Sequence, residues 1–347
     1  KIVNIYETQK YRENKEEFKS FLYLITRIYE NYHRNSAFQS KMEQIFLLIE
    51  QDIKQILSNY EIFDIFQENK KILLLFIQKN ILTVDQYLSK RIVDDYSLCL
   101  FFFPEIRPFI SKEKVQLFEK QFETENFEEK RQEGENDSIL CQLIRNDSIQ
   151  EFITLLNQKN ILPTSTIKPS IFETNPFLID KEPTLIEYAS FYGSIQIFKY
   201  LQMNKADLTS SLWIYAIHSQ NAELIQILED NKVAYPDGNV NACIYESIKC
   251  HHNDFANYFI DNNKISEQIF QEKEYYQSCF HYRNYLFFPS NFQCESIFNC
   301  LCQFDYFELL NIAFNDKNLF YQSYFEMQMN NNEHFKDLFL KNKVNYK

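Results

Sequence analysis

Two stretches of this chain, "TLIEYASFYGSIQIFKYL" (184–201) and "SLWIYAIHSQNAELIQIL" (211–228), superpose at a shift of 27 residues. Ile186 then meets Trp213, Ala189 meets Ala216, and Ile197, Phe198 and Leu201 meet Leu224, Ile225 and Leu228. A further shift of 31 brings in "ACIYESIKCHHNDFANYF" (242–259), with Ser247 under Ala216 and Phe259 under Leu228. "SILCQLIRNDSIQEFITL" (138–155) fits 46 residues before the first copy, and "SIFNCLCQFDYFELLNIA" (296–313) fits 54 after the third. Apolar residues at steps of three and four within each half-copy make the unit a helix–turn–helix. A single unit of this kind cannot bury its own apolar face, so copies must stack side by side.

The N-terminal third follows another pattern. "EEFKSFLYLITRIYENYH" (16–33) and "SKMEQIFLLIEQDIKQIL" (40–57) each carry one apolar stripe and predict amphipathic helices. A shorter pair is expected around 59–68 and 70–79, and Thr83 is the expected N-cap of a helix through "VDQYLSKRI". Pro104 and Pro108 in "FFFPEIRPFISKEK" predict a corner, followed by a charged helix over 113–136 that leads to a linker at Gly134. The expected organisation is all-α: a helical region over 1–133, repeats over 134–313, and a polar cap or tail over 314–347.

The best copy resembles an ankyrin repeat, whose pattern runs T-x-L-H-x-A-A-x-x-G-H, then an apolar helix, then G-A-D. Thr184, Ile186, Ala189, Gly193, Ile197, Phe198, Leu201, Ala206 and Asp207 stand at matching places, with Glu187, Ser190 and Lys205 as departures. Asp147, Gln220, His251 and Asp305 stand at the Gly place in the other copies. Residues 98–260 also resemble a family expanded in some protists. In that family a helical region with an "FFPEI"-like corner leads into an ankyrin-type domain of unknown function. The resemblance implies a divergent ankyrin-like solenoid. It implies no catalytic residue or ligand, and implies binding only through the general habit of ankyrin arrays.

Composition removes several functions. With only 3 glycines, all isolated, no GxGxxG or GxxxxGK[ST] phosphate loop exists. A net charge of −12 without a basic cluster argues against nucleic-acid binding. The longest apolar runs, "ILLLFI" and "LCLFFFP", are far short of the ~20 residues of a membrane span, so no membrane insertion is expected. The 8 cysteines form no CxxC pair and read as reduced, buried thiols, which with no apolar leader-like start predicts a cytoplasmic or otherwise intracellular protein. No cofactor is expected.

"KCHHND" (249–254) concentrates a cysteine, two histidines and an aspartate. The register places His251 and His252 at an inter-helix turn, where neighbours diverge. A zinc site would need further ligands such as His218, Cys279 or His281, so turn residues are the expected reading and no metal or catalytic residue is assigned. Cys300 and Cys302, two apart on a predicted helix, are expected to point in different directions, and Trp213 is expected at an inward Leu place. Partners of ankyrin arrays touch the exposed end of the first helix, on the concave face. By register this predicts Phe191, Tyr192, His218, Ser219, Lys249 and Cys250 as partner-binding residues. The expected function is a non-catalytic adaptor or scaffold for a protein partner. A cytoskeleton-associated protein attached through its N-terminal helices is the alternative, and a Cys/His metalloprotein a more remote one.

Overall fold

The computed structural model describes residues 14–32, 36–119, 126–263, 273–288 and 300–301. They form nineteen α-helices and no strand, so the fold is all-α. Two compact units, Lys1–Ile227 and Leu228–Lys347, divide the chain.

In the first unit α1 (Lys15–Asn31) starts where Asn14 accepts from the amides of Glu16 and Glu17. Its stripe of Phe18, Phe21, Leu22, Ile25 and Tyr29 is buried. The helix expected over 40–57 is two, α2 (Ser36–Leu48) and α3 (Glu50–Ile56). α4 (Asn59–Phe66) opens on a Ser58–Glu61 capping box, and α5 (Lys70–Gln78) on Asn69. Phe46 is the hub of this core, with the rings of Tyr29, Phe66 and Phe76 edge-on at 6.5, 5.6 and 5.6 Å.

α6 (Gln86–Asp94) begins later than Thr83 suggested, because the Asp85 carboxylate takes the amides of Tyr87 and Leu88. α7 (Tyr96–Phe101) and the four-residue α8 (Phe103–Ile106) turn the proline corner with Phe101, Phe102, Phe103 and Ile106 all inside. The charged helix falls into α9 (Lys112–Glu119) and α10 (Phe127–Glu133). Buried Arg131 of α10 ties the corner down through the Phe101 carbonyl and Glu105.

The helix pairs follow: α11 (Ile139–Arg145) with α12 (Ile149–Lys159), α13 (Leu185–Tyr192) with α14 (Ile195–Met203), α15 (Leu212–Ser219) with α16 (Ala222–Asp230), and in the second unit α17 (Asn241–Lys249) with α18 (Asn253–Asn262). α13 packs against α11 and α15, and α12 against α14. Buried Ala189, Ala216 and Trp213 lie in these first helices. The residues at the Gly place share one backbone: φ is 49° at Asp147, 74° at Gly193, 57° at Gln220 and 56° at His251. Around Gly193 the Ser194 amide reaches the Ala189 carbonyl and the Gly193 amide the Ser190 carbonyl, a Schellman stop. Ser148 to Leu143 and His252 to Ser247 repeat it. The second helices stop similarly at Lys205 (φ 64°) and Lys232 (φ 52°), where the ankyrin pattern has Gly.

The pairs are also tied to one another. Asp147 accepts from the Gln196 and Ile197 amides at 3.1 and 3.0 Å, capping α14 from the preceding pair, and the Ser194 hydroxyl donates to the Ile144 carbonyl. In the second unit Asn284 donates to the Ile248 carbonyl at 2.9 Å, the same register place as Ile144. It follows α19 (Lys273–His281), which packs against α17 and stops with Arg283 at φ 54° and the Asn284 amide on the Cys279 carbonyl. A helix with the repeat's own stop thus occupies a segment where no copy was placed. The copy expected at 296–313 lies outside the described residues apart from Cys300 and Leu301, both buried.

Candidate functional site

The face formed by the C-terminal ends of α13 and α15 is covered by the chain itself. Residues 163–183 form a strap whose ends meet through a Thr166–Thr184 bridge and hydrogen bonds from Ile167 to Pro183 and from Leu185 to Ser165. Four prolines, at 163, 169, 176 and 183, keep helix out of it.

Three groups of contacts hold it. The Lys70 ammonium, buried at the start of α5, donates to the carbonyls of Ile171 and Glu173 at 3.3 Å and to the Ser97 hydroxyl at 2.7 Å. Burial lowers its pKa from the ordinary lysine value. Thr174 bonds the Gly134 carbonyl through amide and hydroxyl, and Asn136 donates to the Lys168 carbonyl. Gly134 is at φ 68°, and a Cβ there would come within 2.7 Å of the Thr174 hydroxyl, so only glycine fits. At the tip Phe177 stacks on Phe191 with centroids 5.4 Å apart and planes 4° from parallel, and lies 4.0 Å from His218 and 5.1 Å from Tyr215. The Lys181 ammonium sits 3.4 Å from the centre of the Phe177 ring.

The strap corrects the expected partner residues. Phe191 is 0% exposed and His218 1%, so neither offers a partner a surface. Tyr192 packs on Tyr188 and Phe191 beneath the Arg145 guanidinium, and burial raises its phenol well above the ordinary tyrosine value. Arg145 is held in turn by Glu135 at 2.6 Å and the Tyr188 hydroxyl at 3.0 Å. Ser219 spends its hydroxyl on the turn, donating to the Ala216 carbonyl and accepting the Asn221 amide.

"KCHHND", in the second unit, is also packed. Cys250 is 2% exposed and burial pushes its thiol well above the ordinary value, the opposite of an activated nucleophile. Lys249 pairs with Glu246 at 2.9 Å and lies 5.8 Å from the Tyr282 ring centre. Burial works against its charge, and Glu246 outweighs that to leave its pKa raised. His251 Nε2 is 2.9 Å from the Tyr282 carbonyl oxygen, and burial lowers its pKa despite that contact. No family model, curated protein or solved structure matches this chain.

Of the strap's aromatic and basic tip, Pro176 and Lys181 are exposed and Phe177 half-buried, so these side chains replace Phe191 and His218 as the outermost layer. Sequence reasoning missed them because the strap falls outside the repeat register. The signal that could have found them is a proline-bounded segment with Phe172 and Phe177 inside it, longer than a hairpin needs. No helix among the described residues is long and apolar enough to cross a membrane.

Proposed function

We propose that the protein is a non-catalytic adaptor in which an ankyrin-like array presents a protein-binding face, and that the strap tip at Pro176, Phe177 and Lys181 is the contact layer of that face. The left-handed backbone shared by Asp147, Gly193, Gln220 and His251 carries the reading, because it supports the ankyrin-like register over four helix pairs. An aromatic ring flanked by a cation has the composition of a binding hot spot. Phe177→Ala/Lys181→Ala, tested by quantitative affinity capture against wild type, is expected to lose the captured partner. Capture at wild-type level would contradict it.

A second reading has its own observation. Tyr60 and Tyr87 are exposed, their rings are 5.2 Å apart, and the Arg91 guanidinium lies 4.9 Å from the Tyr60 ring centre. This favours attachment through the N-terminal helices, and then Tyr60→Ala/Tyr87→Ala would abolish capture while the strap variant would not.

A further inference from the structure

Tyr60 and Tyr87 are each the second residue of a helix, α4 and α6. Both helix starts are fixed by caps, the Ser58–Glu61 box and the Asp85 carboxylate. The Asn59 side chain accepts the Thr83 amide at 3.2 Å, which ties one start to the other. A turn further on, Arg91 of α6 pairs with Asp64 of α4 and donates to Gln67 at 3.0 Å. The two rings therefore meet on a braced pair of helices: their centroids are 5.2 Å apart, and the Tyr87 hydroxyl donates to the Tyr60 hydroxyl at 3.4 Å.

Contact and exposure coincide at this pair. Tyr60 is 39% exposed and Tyr87 57%. The rings of Tyr188 and Tyr192 and those of Tyr275 and Tyr276 also touch, but Tyr188, Tyr275 and Tyr276 are buried away from any oxidant. A phenol that loses one electron and its proton becomes a phenoxyl radical, with its unpaired spin on oxygen and on the ring carbons ortho and para to it. The para carbon carries the rest of the side chain, so two such radicals bond through their ortho Cε carbons. Here those carbons flank the carbons that bear the hydrogen-bonded hydroxyls. The Arg91 guanidinium, 4.9 Å from the Tyr60 ring centre, disfavours removal of an electron from that ring, so the more exposed Tyr87 is oxidised first.

We propose that Tyr60 and Tyr87 form a dityrosine site, at which a haem peroxidase using hydrogen peroxide joins α4 to α6 through a Cε–Cε bond. Each phenol gives up one electron and one proton. The new carbon–carbon bond forms, and the hydrogens on the two joined carbons move to the oxygens, which restores both phenols. The two electrons and two protons reduce one hydrogen peroxide to two waters, so the protein loses the mass of two hydrogen atoms. The proposal rests on neither reading of function, since its test uses the chain without a partner. Treating the full chain with a plant haem peroxidase and hydrogen peroxide tests it, with dityrosine fluorescence and peptide mass mapping as readouts. The expected product is one linkage between the peptides that hold Tyr60 and Tyr87, formed at a first-order rate that does not change with protein concentration. Tyr60→Phe and Tyr87→Phe are each expected to cut the yield at least tenfold. Both variants keep the ring and its packing, so the loss reports the missing phenol oxygen. Tyr96→Phe, at an exposed ring outside the pair, is expected to leave the yield unchanged. No dityrosine, a yield unaltered in Tyr60→Phe or Tyr87→Phe, an equal loss in Tyr96→Phe, linkages spread over other tyrosines, or linkage only between chains would each overturn the proposal.

Discussion

Ser190 is fully buried with its hydroxyl unpartnered, at the place where the ankyrin pattern has its second alanine. Removing an orphaned hydroxyl from such a site is worth about 1 kcal/mol. Ser190→Ala is therefore expected to shift the denaturant midpoint upward by that amount with no change in slope. Lys205 is a similar case in the backbone: it is exposed and at φ 64°, where a Cβ is strained and glycine is not. Lys205→Gly should add about 1 kcal/mol in equilibrium unfolding, against the usual cost of a new glycine. Glu173 makes stability depend on pH. Burial raises its carboxyl from 4.5 to about 7, so between those values the folded state holds a proton that the unfolded state has lost. Its contribution is then complete below pH 4.5, declines as pH rises to about 7 and is flat above, a loss of ~3 kcal/mol across the window. Comparing the pH–stability profiles of wild type and Glu173→Gln checks this: the decline should be smaller in the variant.

The helices show how far local pattern carries. The stripe of α1, the inward Trp213 and the positions later found at positive φ could all be read from the chain, since each depends on residues three or four apart or on a fixed register. What could not be read was tertiary. Asp85 and Thr83 are both good caps, and the choice between them is made in the fold. α19 was missed because Cys279 and Arg283 stand where small and Gly residues would mark the repeat. The expected hot spot failed for a related reason. Phe191 and His218 do lie together on one face, yet a segment outside the register covers them. Phe177 locks that segment at its tip, so Phe177→Ala should cost about 1–2 kcal/mol, mostly as easier local opening of the strap. Limited proteolysis within 163–183 is then expected to speed up about tenfold, with little change in cleavage of α1 to α5.

At the scale of the molecule the strap joins two kinds of structure within the first unit. Lys70 belongs to the N-terminal helices and Phe191 to the repeats, and both hold residues 163–183. This is a physical reason for N-terminal helices and the first helix pairs to share one compact unit, Lys1–Ile227. In the adaptor reading, what a partner meets on this face is the strap, and the first helices lie beneath it. Amide hydrogen exchange of the full chain, with and without its captured partner, tests this most directly. The account predicts that protection on binding is concentrated in residues 172–183, with α4 and α6 unchanged. Protection confined to α4 and α6, around Tyr60 and Tyr87, with the strap exchanging as in the free protein, would contradict it.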